Sequence, residues 1–199
     1  MSQNQAEPCL LSRRDTRGVV TLTLNRPAAF NALSEELLTA LQQAFAHIAE
    51  DGSVRVVVIE AAGRAFCAGH DLKQMRAAPS LEYYQKLFHQ CSDMMLALQH
   101  LPVPVIAKVQ GMATAAGCQL VAMCDMAAAS RDARFAVGGV NFGLFCATPS
   151  VALSRNIGRK AAFEMLVVKG LSPEQVSASC GMSVATKESF TFAAARVQL

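Results

Sequence analysis

The stretch Val109–Asp125, VQGMATAAGCQLVAMCD, decides how the rest of the chain is read. It opens as the end of an apolar strand, turns at Gly111 and becomes small and Ala-rich. It then runs into an apolar segment, Ala116 to Met123, with the character of a buried helix. Small residues at a strand-to-helix turn let a ligand approach the backbone, and the first N–H groups of a helix have no partner within it. For one such motif alone, a tightly packed turn is the simpler reading. A second turn of the same kind, Phe66-Cys67-Ala68-Gly69-His70-Asp71, follows another apolar strand upstream. Two such turns converging on one oxygen would make an oxyanion hole.

Outward from that stretch the chain alternates strands and helices. Val19 to Asn25, VVTLTLN, alternates as a strand, and Arg26-Pro27 ends it. Ser34 caps a helix whose apolar stripe is Leu37, Leu38, Leu41, Phe45 and Ile48. Val54 to Ile59 is a near-continuous apolar strand of the kind covered on both faces. A helix is expected from about Leu81 to His100, a strand from Val103 to Val109, and a short strand around Met126–Ala129. This order predicts an α/β domain with right-handed crossovers, whose ligands gather where strand C-termini meet helix N-termini. Past Pro149 the sequence reads as helix over Ser150–Ile157 and Lys160–Lys169, with another short helix from Ser172-Pro173-Glu174.

Composition narrows the function classes. The chain has 199 residues, 52% hydrophobic and 17% charged, with a net charge of +3, two Tyr and no Trp. That is a globular profile without the clustered cations and interleaved aromatics of a nucleic-acid binder. The seven cysteines have no CxxC pair and no His at zinc-finger spacing, so they read as small hydrophobes in a reducing compartment and no metal is expected. No run approaches the roughly 18 apolar residues of a membrane span, and MSQNQAEP is neither a secretory nor a transit signal. The cytoplasm is the expected location.

Several motifs together carry a resemblance. Asn25-Arg26-Pro27 with Asn31-Ala32-Leu33, the loop Phe66–Lys73 (FCAGHDLK), Pro104-Val105-Ile106-Ala107 followed by Gly111 and Gly117-Cys118, and Cys124-Asp125 occur in the order and spacing of the crotonase (enoyl-CoA hydratase/isomerase) superfamily. The chain resembles that superfamily from about Val19 to Gly170. The resemblance implies an α/β fold of repeated ββα turns wound into a spiral over residues 10–170. Residues 171–199 would form an atypical, possibly shortened helical tail. It also implies trimers or dimers of trimers, weakened here by that tail, and a fatty acyl-CoA thioester ligand with no cofactor beyond the coenzyme A it carries. By motif position, the oxyanion donors would be the backbone N–H groups of His70 and Ala116. Ala28–Phe30 and the backbone around Ala68, Asp71 and Leu72 match positions that hold the CoA adenine. Lys73 and Arg26 are either solvated cations or partners of the CoA phosphates. A mitochondrial location follows from the resemblance only.

The sequence departs from the superfamily where a hydratase keeps its two carboxylates. The first acid position is Gln119, which can hold a water through its amide but cannot take up a proton at ordinary pH. The second is Gly139. Ordinary hydration is therefore expected to be weak or absent, since general acid–base catalysis needs a titratable group near the operating pH. Two functions lead, noncanonical enolate chemistry on an acyl-CoA or an inactive CoA-thioester binding protein, and a structural protein that keeps the fold without ligand binding is the third and least favoured. Among other candidates, the His70 side chain titrates near neutrality. Asn141 either bonds a substrate group or caps a turn. Cys146 reads more simply as a small buried residue than as a reactive thiol.

Overall fold

The structure is a computed structural model and describes residues 7–77, 79–167 and 183–185. The first strands are β1 (Leu10–Arg14) and β2 (Val19–Leu24), followed by α1 (Glu35–Glu50), β3 (Val56–Ala61) and β4 (Ala65–Cys67). Next come α2 (Leu72–Ala77), α3 (Leu81–Gln99), β5 (Val105–Val109), β6 (Met112–Thr114), α4 (Ala116–Met123), β7 (Met126–Ser130) and β8 (Arg134–Ala136). A 3-10 turn over Gly138–Phe142 leads into α5 (Ala147–Asn156) and α6 (Arg159–Val167), and β9 (Ser183–Ala185) is the last described element.

The strands form two sheets, one of six in the order β1-β2-β3-β5-β7-β9 and one of three in the order β4-β6-β8. Only β1 runs antiparallel to its neighbour. Within each successive pair, β3–β4, β5–β6 and β7–β8, the first strand joins the large sheet and the second the small one. That repeated step is the spiral expected from the superfamily resemblance. It brings β4, β6 and β8 together in one parallel sheet.

Local chemistry explains most boundaries. Ser34 accepts a hydrogen bond from Leu37 N and starts α1, whose buried face is Leu37, Leu38, Leu41, Phe45 and Ile48, as the stripe predicts. Strand β3 begins two residues later than its apolar run because Val54 N closes a turn onto Asp51 O at 3.0 Å. Strand β5 likewise starts only after Pro102 and Pro104, which have no N–H to give a ladder. Three differences from the sequence reading stand out. β4, β6 and β8 lie where turns and loops were expected. β1 covers residues to which the sequence reading assigned no element. Residues 183–185, inside the tail expected to be helical, form a strand parallel to β7. The short helix expected from Ser172 lies outside the described residues.

The core joins both layers: Leu22, Leu24, Leu33, Phe45, Ile59, Phe66, Met94 and Leu120 are all fully buried. Five of the described cysteines, Cys9, Cys67, Cys91, Cys118 and Cys124, are buried and unbonded, and Cys146 is half-buried. Burial pushes the Cys67 and Cys118 thiols up to about 12, so they are packing residues.

Candidate functional site

The parallel pairing of β4 with β6, Cys67 beside Ala113, lays the two small-residue turns side by side. They touch at Gly69. That residue has φ +89°, and a Cβ added to it would lie 2.9 Å from the Ala115 Cβ and 3.3 Å from the Ala116 N. Gly117 has the complementary constraint, since its Cβ would sit 2.2 Å from Cys67 O. Thr114 Oγ1 donates to Ala68 O at 3.0 Å and stitches one turn to the other. Each small residue is therefore required by the close approach of two backbones.

The backbone donors of the two turns have different origins. Leu33 N donates to Gly69 O at 2.8 Å and Asp71 N donates to Leu33 O at 3.2 Å. Because successive amides of extended chain face opposite sides, the N–H of His70 is directed away from that bridge. On the other turn, Ala115 is a non-glycine residue at φ 50°, ψ −123°. Such a conformation costs about 1–3 kcal/mol and persists only when its surroundings hold it. Here Ala115 N is tied to Ala136 O at 3.0 Å. The next residue, Ala116, opens α4, so its N–H has no partner inside the helix.

The side chains around this corner are neutral. His70 sits half-buried with its ring edge-to-face against Phe88 at a centroid distance of 5.1 Å, and its Nδ1 is buried without a hydrogen-bond partner. Burial pushes its pKa down to about 4. The expectation that this side chain titrates near neutrality is thereby corrected: at pH 7 it is an uncharged imidazole. Gln119 is 7% exposed, and its Oε1 likewise has no partner. Gly139 lies in the 3-10 turn, where an added Cβ would stand 2.6 Å from Cys146 Sγ and 2.9 Å from Leu144 O. No larger residue fits at that position without displacing Cys146. Asn141 is exposed near the end of the same turn.

The residues matched to adenine recognition form the adjoining loop. Ala28 is exposed in a 3-10 turn, Pro27–Ala29. Phe30 follows at φ 50°, and the Arg64 guanidinium lies 4.6 Å above its ring. Ala68 N donates to Phe30 O at 3.1 Å, which fixes this loop against the first small-residue turn. Leu72 and Lys73 are exposed on the first turn of α2. Arg26, expected either as a solvated cation or as a partner of the CoA phosphates, is engaged within the fold. Its Nη2 meets Asp71 Oδ2 at 2.9 Å and its Nη1 donates to Ala32 O at 2.5 Å. Burial alone would raise the Asp71 carboxyl, but hydrogen bonds from Arg26 and the Gln74 N–H outweigh it and hold it below the usual range. Asn31, which the sequence offered only as part of a motif, is a fully buried residue whose Nδ2 donates to Ala62 O and Ala65 O, each at 2.8 Å. Its Oδ1 accepts from Arg26 N at 2.8 Å. An Asn between two apolar elements was the available signal, because Asn tolerates the positive φ of 53° found here.

Among the described residues no cluster of three His, Cys, Asp or Glu could hold a metal. A groove of about 670 Å³ between the Cys9 segment, α1 and α3 shares no residue with the site.

The enoyl-CoA hydratase/isomerase family model matches residues 14–184. This chain belongs to that family. The enoyl-CoA hydratase domain-containing protein 3, mitochondrial, of Rattus norvegicus is 46% identical over 162 residues, covering 81% of this chain and 54% of its own. Its Homo sapiens counterpart is 45% identical over 164 residues, with coverage of 82% and 54%. The chain thus spans about half the length of the curated relatives it matches. Among solved structures, an enoyl-CoA hydratase of Mycobacterium smegmatis is 66% identical with a TM-score of 0.88, over 90% of this chain and 71% of that one. The human domain-containing protein 3 structure is 40% identical with a TM-score of 0.85, over 90% and 72%. The GHDLK loop, the ATAAGCQL run and the GVNFGLFCATP segment resemble this same branch.

Proposed function

We propose that the chain binds a fatty acyl-CoA thioester and polarises its carbonyl between the His70 and Ala116 N–H groups. The close packing of Gly69 against Ala115 and Ala116, with no room for a Cβ between them, carries this reading, because it holds the two turns side by side. Backbone amides at the end of two packed sheets are rigid donors. Aimed at a thioester oxygen as it becomes an enolate, one such donor is worth about 3–4 kcal/mol. Coenzyme A arrives as part of the ligand, with Ala28, Phe30, Ala68, Asp71, Leu72 and Lys73 around its adenine end. No other cofactor is invoked.

Chemistry at this corner is not ordinary hydration. Gln119 is an amide, Gly139 has no room for a side chain, and the His70 imidazole is already neutral well below pH 7. The enzyme reading is therefore noncanonical enolate formation, with protons handled by the substrate or its water. A second reading, a thioester-binding protein without turnover, is favoured by the lack of a carboxylate at positions 119 and 139 and by a His70 imidazole that burial keeps neutral at pH 7. Incubation with an acyl-CoA panel in deuterated water separates them. Exchange at the α-carbon is expected for the enzyme, binding without exchange for the second reading. Hydration of crotonyl-CoA within a few orders of magnitude of an ordinary hydratase would refute both.

Assembly is proposed as a trimer or dimer of trimers, loosened by an atypical tail. A stable trimer at low micromolar concentration by solution mass measurement would contradict the loosening. The proposed location is the cytoplasm, with mitochondria the alternative suggested by the animal relatives' names. No helix among the described residues is long and apolar enough to cross a membrane.

A further inference from the structure

Among the described residues β1 (Leu10–Arg14) is an edge of the six-stranded sheet, with β2 as its one strand neighbour. An antiparallel ladder spends the N–H and C=O groups of every second residue on one neighbour. Asn25 N donates to Cys9 O at 2.8 Å and Asp15 N to Val19 O at 3.0 Å, so the odd-numbered residues of β1 face β2. Leu10, Ser12 and Arg14 therefore turn their backbone groups to the free edge, as a row of unmet donors and acceptors. The side chains of these residues lie on the helix side of the sheet. Leu10 pairs with the buried Leu24, and Arg14 reaches Asp51 at the end of α1 at 2.8 Å. The groove of about 670 Å³ opens on that side and sets Leu10 among Glu35, Glu36 and Gln43 of α1. The edge thus carries carboxylates at its Leu10 end and two arginines, Arg13 and Arg14, at the other.

We propose that β1 docks a second copy of this chain, strand against strand and antiparallel, about a two-fold axis at Ser12. In that register Ser12 meets its own copy and Leu10 meets Arg14, so all three outward-facing residues exchange hydrogen bonds. Opposite residues share a face, which brings the second copy's Arg14 to the groove beside Glu35 and Glu36. Arg14 keeps guanidinium donors to spare, since Nη1 and Nη2 each give one bond, to Asp51 and Ser53. Other registers fare worse. Centring on Arg13 sets like charges against each other, and centring on Leu11 sets Arg14 against Pro8, which has no N–H. An edge with opposite charges at its two ends is complementary to itself reversed, which favours a second copy over an unrelated strand. The contact is two-fold and owes nothing to the thioester reading, so it doubles whatever unit the chain otherwise forms.

The test is sedimentation velocity on the full chain from about 1 to 300 µM, because two paired five-residue strands bury less than the roughly 1,600 Å² of a standard interface and should associate weakly. The parent chain should double in mass across that range. Ser12→Pro should weaken the doubling by about tenfold or more at an unchanged urea midpoint, since an edge strand tolerates proline where its N–H points outward. Glu36→Lys should weaken it as well, and adding Arg14→Glu should restore it by exchanging the charges. Amide hydrogen exchange gives an independent readout: Leu10, Ser12 and Arg14 should gain protection as the chain is concentrated, and Leu11 and Arg13 should not. A parent chain that never doubles would overturn the proposal, as would doubling that survives Ser12→Pro. Protection of those amides only on adding an alternating Lys-Val hexapeptide would overturn it too, by giving the edge to an unrelated strand.

Discussion

Two polar regions, both tied to the Ala65–Ala68 segment, are finished in opposite ways. Around Asn31, every amide group is used: Nδ2 serves two carbonyls, Oδ1 takes the Arg26 N–H, and the Arg26 guanidinium spans Ala32 O and Asp71. Around Ala115–Gln119, a non-glycine residue is held at positive φ, and Gln119 Oε1 and His70 Nδ1 are buried without partners. The first region is closed upon itself and holds loops in place. The second keeps strain and unmet hydrogen bonds, which is where proteins place ligands. NRP…NAL and AGCQ are equally recognisable as motifs, yet only the second faces outward chemically.

The contrast breaks most severely where the two turns share backbone space. Gly117→Ala would put a Cβ 2.2 Å from Cys67 O, a contact that neither the β4 backbone nor the helix can relieve cheaply. Overpacking of this kind costs more than about 3 kcal/mol when it is backbone that must move. Loss of cooperative unfolding, or a drop in urea midpoint to match, is the expected result. A variant melting within a degree or two of the parent would show that β4 and α4 are not in this contact.

Next in size is the closed region. Asn31→Ala removes three hydrogen bonds from a fully buried site and takes that partner from Ala62 O and Arg26 N, while Ala65 O keeps a donor in Gln110 Nε2 at 3.2 Å. About 3 kcal/mol of stability should go, with thioester affinity following only through the displaced Phe30 loop. If affinity falls while the melting curve stays put, Asn31 belongs to the open region and the comparison is wrongly drawn.

Much of this was legible before any coordinates. The β2, α1, α3 and α4 segments were readable because apolar residues repeat along them at strand or helix spacing over six residues or more. β4, β6 and β8 were not, because each has three residues, too few for any period to register. The second sheet entered only through family resemblance, although it is what sets the two turns side by side. In the site, the identities of Gln119 and Gly139 were plain, but not their surroundings. That Gly139 is walled by Cys146, that burial lowers the His70 pKa, and that Arg26 is engaged by Asp71 are all consequences of long-range packing. Sequence gives the groups and not the dielectric or the partners.

The His70 ring offers a pH-resolved view of the open region. Its pKa falls from 6.5 in the unfolded reference to about 4 in the fold, so between those values the unfolded chain binds a proton that the folded chain refuses. The contribution is thus fully present above pH 6.5 and is lost as the pH falls toward 4. Allowing for partial solvent screening of a half-buried ring, the loss is about 2 kcal/mol. His70→Gln should flatten that acid limb in urea midpoints taken from pH 7.5 to 4.5. An unchanged slope would mean that the imidazole is charged and solvated in the native state.

The smallest effect is the most discriminating, because its sign differs between the regions. Removing a satisfied buried amide destabilises; removing an orphaned one does the reverse. Gln119→Leu replaces an amide whose oxygen has no partner with an apolar group of similar length in a buried setting. The desolvation cost of the lone oxygen disappears and hydrophobic burial is gained, while the cost of the strained Ala115 is untouched. The unliganded protein should become more stable by about 1 kcal/mol, read as a higher urea midpoint at constant m-value. Asn31→Ala, by the same measurement, must move the other way. A destabilised Gln119→Leu would mean that the amide is satisfied within the resting protein, and the asymmetry between the closed and open regions would disappear.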